Sequence, residues 1–391
     1  MTYRRAAIPA LVGGLLITAL LWWAGASAQA LRLQGSANAF GVETTVELEQ
    51  MLAPWSYDPP ASAGSGGDAS GGFGSTAATD SMHYLALHHT ALQIRFGAVF
   101  AFFVAGALLL LRRLPPVHGR VPATLLAVWA WGLVAGTLAV TVSAPWLIAS
   151  RGHGSYRFLP DLAGVISSGQ QIVVVTALVA AAVAVLVARI TAKGEDVPGQ
   201  EAVPARAARL AATVGTAIVA VSLVVLSYQS VAARLQSVSP RIGLLSEPGD
   251  ILRQWLLLGA WAAPTGTPLG DWLLYRAADV LLLAVVWWAL RRLPVLLTRA
   301  TVPAMAVGAV CATVIGLLAS QLLRMATDGT GMRWGLIHLS TGLGGGVPAA
   351  LTWGLVAGAA AAVTLRPAMG RTRAETLDAM APAQEPGRPQ A

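Results

Sequence analysis

Asp279 and Arg276 open the reading, because an acid inside an apolar run is costly unless it has a job or a partner. Asp279 is three residues after Arg276, on the same face of a helix, so the two can pair. At 1.5 Å per residue it lies about 18 Å from the Arg291-Arg292 end of its run, in the outer half of a bilayer. A carboxylate there could couple transport, or it could be one member of a local ion pair at the outer interface. A second motif is written twice: Gly152-His153-Gly154-Ser155-Tyr156-Arg157-Phe158 resembles Gly329-Thr330-Gly331-Met332-Arg333-Trp334. Arg157-Phe158 and Arg333-Trp334 each pair a guanidinium fork with an aromatic ring that seats at headgroup level. Together they could bind an anion or a lipid headgroup, or each could simply anchor a loop. Gly164 with Ser167-Ser168-Gly169, and Gly342 with Gly344-Gly345-Gly346, follow the two copies. Such small residues permit close helix approach or a broken helix.

His83, His88 and His89 precede the second apolar run. Imidazoles at this spacing could hold Zn²⁺ or Cu²⁺ with Asp80 nearby, but no dependable fourth ligand is visible. A polar juxtamembrane segment is the plainer reading. His118 and His153 have no evident partner. Lys193, the sole lysine, follows Ala192, which excludes a Walker A loop. No His-Glu-x-x-His and no Gly-x-Ser-x-Gly occurs, and the apolar runs carry no histidine for haem. Cys311, the one cysteine, excludes an intrachain disulfide. No cofactor is implied, and an enzyme is the weaker expectation.

These residues must be held by membrane spans. The chain has 391 residues, 55% hydrophobic and 11% charged, where soluble proteins carry about 25% charged residues. Apolar runs of roughly 20 residues recur, the length that crosses a bilayer. The expected fold is an all-α integral membrane protein with eight spans: Ala6 to Ala26, Leu92 to Leu111, Pro122 to Val142, Gln171 to Val187, Leu210 to Tyr228, Trp272 to Leu290, Pro303 to Leu323, and Pro348 to Leu365.

The spans repeat as a set. Leu111-Arg112-Arg113-Leu114-Pro115 recurs as Leu290-Arg291-Arg292-Leu293-Pro294, where Arg-Arg stops a span and Pro stops the helix. Val12-Gly13 and Arg32-Leu33-Gln34 recur 202 residues on, as Val214-Gly215 and Arg234-Leu235-Gln236, and Val121-Pro122-Ala123 recurs as Val302-Pro303-Ala304. Five landmarks in one order predict an internal duplication. Four spans per unit return the chain to its starting side, so the two repeats should be parallel, about a pseudo-two-fold axis along the membrane normal.

The first unit covers residues 1–188, with a long outer loop at 29–90 whose Gly/Ser-rich part, 58–80, reads as flexible. Within it, Thr44-Thr45-Val46-Glu47 fits a capping box for a short interfacial helix ended by Pro54. A polar linker spans 189–209, the second unit 210–366, and a tail expected to be disordered 367–391. The apolar segment Ile251 to Ala262 is too short to cross and should be interfacial, re-entrant or packed on the outer face.

With the N-terminus inside, 16 of the 26 Lys/Arg fall on the inner side, the bias that orients membrane proteins. Both termini are therefore expected in the cytoplasm. The net charge of +8 then needs no nucleic acid. Ala28-Gln29-Ala30 resembles a signal-peptidase site, but the first run matches the fifth, so a retained span is favoured. Abundant Ala, Gly and Arg suggests a bacterial protein of the cytoplasmic membrane. The leading function is a transporter or permease handling an amphiphilic or anionic molecule, a lipid among them, at an outer site between the repeats. The rival is a scaffold for a membrane partner, and a metal-dependent lipid-modifying enzyme comes third.

Overall fold

In the computed structural model, residues 3–31, 45, 48–49, 51–57, 75–116, 119–150, 158–192, 204–238, 247–259, 268–298, 300–327 and 332–380 are described. They form α1 (Tyr3–Leu31), a 3₁₀ turn (Ala53–Trp55), α2 (Ser75–Arg113), α3 (Val121–Ala149), α4 (Phe158–Ser168) and α5 (Gln171–Thr191). The second half holds α6 (Ala205–Ala220, prolonged by a π-helical turn, Val221–Leu226), α7 (Gln229–Gln236), α8 (Gly249–Leu256), α9 (Leu269–Leu296), α10 (Val302–Thr327) and α11 (Met332–Met380). Among the described residues there is no strand, and eight helices are long and apolar enough to cross a membrane: α1, α2, α3, α5, α6, α9, α10 and α11. Large apolar side chains such as Trp23, Leu186, Leu210 and Trp288 stay exposed on these spans, as expected where lipid is the solvent. The chain is a multi-pass membrane protein of all-α class.

The spans of each half close a ring. α1 and α3 each pack against α2 and α5; α6 and α10 each pack against α9 and α11. The halves meet where α3 lies on α10 and α11, with α2 against α10 and α5 against α11. Small residues set these distances. A Cβ on Gly358 would stand 2.5 Å from the Ala306 Cα, and one on Gly354 2.6 Å from the Val310 Cα, so this Gly-x-x-x-Gly pair lets α11 touch the α10 backbone. Within α2, bare Gly106 lets the Trp131 indole donate to the Phe102 carbonyl at 2.9 Å. Cys311, buried in α10, donates to the Ala127 carbonyl of α3 at 3.3 Å and ties the halves together.

Several expectations are corrected. Pro115 follows the end of α2, but Pro294 sits inside α9, which runs on to Leu296. A proline loses its amide only from the last turn there, and buried packing of Leu293 and Pro294 holds the turn. The two chain reversals then touch: the Thr298 amide donates to the Arg113 carbonyl at 3.0 Å, and Arg120 donates to the Leu296 carbonyl at 3.2 Å. Gly342 to Gly346 do not break a helix, because α11 is continuous from Met332. Nor is the tail without structure as far as Met380: Ala, Glu, Leu and Met between 374 and 380 are helix formers, added to a helix already nucleated. α2 begins at Ser75, inside the expected flexible insertion, whose residues 58–74 lie outside the described ones. The expected interfacial helix before Pro54 ends as a plug. Trp55 is fully buried and its indole donates to the Gly169 carbonyl at 3.0 Å. Its own carbonyl would sit 2.1 Å from a Cβ on Gly25, so only glycine admits it.

Candidate functional site

The end of the bundle opposite Arg112-Arg113 and Arg291-Arg292 carries the two short helices, α4 and α8, packed on each other and on α11. α8 is amphipathic over two turns: Ile251, Leu252, Trp255 and Leu256 are apolar, while Asp250, Arg253 and Gln254 share the other face. Its end is pinned into the spans. The Ser222 hydroxyl donates to the Leu256 carbonyl at 2.5 Å and accepts from the Leu258 amide at 3.3 Å, and the Trp353 indole donates to the same carbonyl at 2.9 Å. Ser222 opens the i→i+5 bond of the π turn, received from the Ser227 amide at 3.1 Å. The extra residue of that turn re-aims the hydroxyl toward α8. Of the segment Ile251 to Ala262, the described part, 251–259, is thus packed on the end of the bundle, with Leu257 and Leu258 buried.

Between these pieces is a cavity of about 520 Å³. Gly164 and Ser167 of α4, Asp250, Arg253 and Gln254 of α8, Gln321 and Arg324 of α10, and Gly342, Gly345 and Gly346 of α11 line it. Both Gly-rich segments therefore face one space, and both halves of the chain contribute walls. A Cβ on Gly342 would press on the Gln321 amide at 2.9 Å, and one on Gly346 on Leu317 at 2.9 Å. Gly164 and Gly345 have nothing within 4 Å and leave the cavity open.

Arg324 joins the cavity to an ion cluster. Its Nη2 donates to Asp279 Oδ1 at 2.9 Å, and Arg276 Nη1 lies 2.9 Å from Asp279 Oδ2. Asp279 is only 4% exposed. Arg276 also stacks over Trp272 at 5.9 Å and Arg324 over Tyr275 at 5.7 Å, contacts that hold a guanidinium at the edge of the apolar zone. One carboxylate between two guanidiniums leaves a net positive charge, and Arg324 presents it to the cavity.

In the first half Arg95 occupies a comparable place. It is 1% exposed; Nε donates to the Ser143 hydroxyl at 2.9 Å, Nη1 to the Pro54 carbonyl, and its guanidinium lies 5.4 Å over Trp55. Arg95 thus holds the plug in the ring.

The other expected residues fall elsewhere. Arg157 lies outside the described residues, and Phe158 begins α4, half-buried. Arg333 and Trp334 are in the first turn of α11, about 13 Å of helix beyond Gly342; their side chains lie outside the described residues. His83, His88 and His89 sit on helical α2 rather than in a loop. Steps of five and six residues turn them to different sides: His88 is buried, whereas His83 and His89 are exposed. Among the described residues no three His, Cys, Asp or Glu side chains gather as a metal site.

Sequence reading missed Arg253, Gln254, Gln321 and Arg324. The signals were present: Gln321 and Arg324 are one turn apart, and Asp250, Arg253 and Gln254 form the polar face of a short apolar segment. No protein-family model, curated protein or solved structure matches the chain.

Proposed function

We propose that this is a permease-like protein that takes an anionic or amphiphilic small molecule into the cavity between its halves. The observation that carries the reading is the wall of that cavity: glycine-lined on α4 and α11, with Arg253 and Arg324 as charged donors. Sites for small ligands are concave spaces of roughly 300–1,000 Å³ with a few convergent polar groups, and the volume falls in that range.

Reading the two halves as a parallel duplication is consistent with it. The rings have the same chain order, and in both an outer segment tucks into the bundle, Trp55 in one and Leu257-Leu258 in the other. Ser143 and Arg324, the third-span partners of Arg95 and Asp279, stand 181 residues apart, the interval between Val121-Pro122-Ala123 and Val302-Pro303-Ala304. The pseudo-two-fold axis would run along the membrane normal, beside the cavity. The bias of basic residues toward one set of helix ends supports a reading with the cavity on the outer face and both termini inside, in the cytoplasmic membrane of a bacterium.

Filling the cavity tests the reading. Gly345→Trp and Gly164→Trp each start a bulky side chain at a position where a Cβ meets nothing within 4 Å. The purified protein should be stabilised against heat by inorganic phosphate or by short-chain phosphatidic acid, and both variants should keep their own melting temperature while losing that response. Ligand stabilisation that survives in both would place binding elsewhere and overturn the proposal.

A further inference from the structure

A second hollow lies wholly in the first half, apart from the cavity between the halves. Its walls are α1 and α2, which touch deep in the bundle: a Cβ on Gly14 would stand 2.5 Å from Val104 Cγ2 and 3.2 Å from Phe100. Toward the end opposite Arg112-Arg113 the two helices part around Tyr57. Its ring lies 6.4 Å, edge-on, from Trp22 of α1 and 6.0 Å, stacked, from Phe96 of α2. The V so formed encloses about 670 Å³. His89 and Gln93, one turn apart on α2 and both exposed, line its mouth. Leu15 and Thr18 line its depth, where the Thr18 hydroxyl is spent on the Gly14 carbonyl at 2.8 Å.

Helix rise sets the depth of the V in the membrane. Counted from Arg112, Gln93 lies about 29 Å and His89 about 35 Å along α2, at the far edge of a hydrocarbon core about 30 Å thick. Val104 and Phe100 lie about 12 and 18 Å from Arg112, on either side of the midplane. Counted from Arg5, Leu15 of α1 lies at about 15 Å and Trp22 at about 26 Å. Both walls therefore run from the midplane to one headgroup layer. Leu15 is 62% and Trp22 55% exposed, so the V opens sideways to lipid rather than to water.

We propose that this V holds one acyl chain of a phospholipid from that leaflet. The lipid's phosphodiester or ester oxygens accept from the His89 ring N–H and the Gln93 amide at the mouth. Water does not suit the depth of the V, where apolar side chains and an already bonded hydroxyl offer it no partners. A partner helix does not suit it either. Such a helix is about 10–12 Å across and runs the full core, whereas α1 and α2 close on each other at the midplane. A flexible chain fits a slot one leaflet deep, and the linked rings of Trp22, Tyr57 and Phe96 give it a broad apolar wall.

The test uses the full-length protein in nanodiscs that carry a trace of phosphatidylglycerol with a diazirine on one acyl chain. After illumination, mass spectrometry maps the adducts. Val280 is the reference, because it is 64% exposed on α9 and lies about 17 Å from Arg291, near the same depth as Leu15. Label on residues 15–22 and 92–96 should exceed that at Val280 by about fivefold, equivalent to roughly 1 kcal/mol. Ala19→Trp, at an exposed position on the wall, should bring the label down to the Val280 level. Ala19→Ser, which leaves the space free, should not. His89→Leu with Gln93→Leu keeps the slot, removes the donors and should lower the label several-fold. Labelling unchanged by that pair would overturn the headgroup contacts. Label spread evenly over all exposed faces would mean annular lipid only and would overturn the site. So would labelling indifferent to Ala19→Trp, or a groove covered by a second copy of the chain and closed to the lipid.

Discussion

Replacing Asp279 with Ala should destabilise the protein far more than an average surface change. Asp279 is 4% exposed and bonded by two guanidiniums, each at 2.9 Å. Its removal deletes two charge-assisted contacts, each worth about 1.5–3 kcal/mol when buried. It also leaves Arg276 and Arg324 facing each other: nitrogens that grip opposite oxygens of one carboxylate sit roughly 6 Å apart, a repulsion of about 3 kcal/mol at an effective dielectric of 20. The arginine side chains are 13% and 26% exposed, so water screens part of both terms and the arginines can swing outward. The net cost is then about 3 kcal/mol, the lower end for breaking a buried pair. With an unfolding entropy of about 2 cal/mol/K per residue over 391 residues, each kcal/mol shifts the midpoint by roughly 1.2 °C, and the melting temperature should fall by about 3–4 °C. Cys311 provides the assay: it is the only thiol and is buried, so a thiol-reactive dye reports unfolding directly. The double variant Asp279→Ala/Arg324→Ala removes the repulsion and should melt higher than Asp279→Ala alone. A single variant within a degree of the parent, or a double variant as unstable as the sum of the two singles, would refute this account of the cluster.

Gly106→Ala should cost about 2–4 kcal/mol, because its Cβ would lie 1.8 Å from Trp131 Nε1 and must expel the indole from its bond to Phe102. Gly97→Ala on the same helix meets nothing within 4 Å and should be neutral or stabilising by up to about 1 kcal/mol; thermal melts of the pair check both signs. Ser222→Ala with Trp353→Phe removes the hydrogen bonds that pin the end of α8. Hydrogen exchange over residues 249–258 should then speed up several-fold with the eight spans unchanged, and an unaltered exchange rate would show that apolar packing alone holds α8.

The membrane class was legible without coordinates, because a bilayer imposes one demand on every span: about twenty apolar residues whose backbone is satisfied within the helix. That demand is local, so span number, the short length of Ile251 to Ala262 and the pairing of Arg276 with Asp279 could be read from neighbours in the chain. Helix ends were legible less well. Pro294 and residues 367–380 carry helix-breaking or polar letters, yet packing of Leu293 and the nucleus supplied by α11 carried both helices further. The cavity could not be read at all, since its walls come from α4, α8, α10 and α11, separated by as many as 186 positions, Pro160 to Gly346. Arg324 shows the difference most clearly. In sequence it is a charge just past an expected span, indistinguishable from any guanidinium at a headgroup. Only the crossing of α9 and α10 puts it against Asp279, and only the placement of α8 against α4 and α11 makes it part of a cavity wall. Sequence determines which segments must enter the membrane, through the free energy of transfer of each segment taken singly. Tertiary structure decides which polar groups meet there, because that depends on helix positions that no single segment encodes.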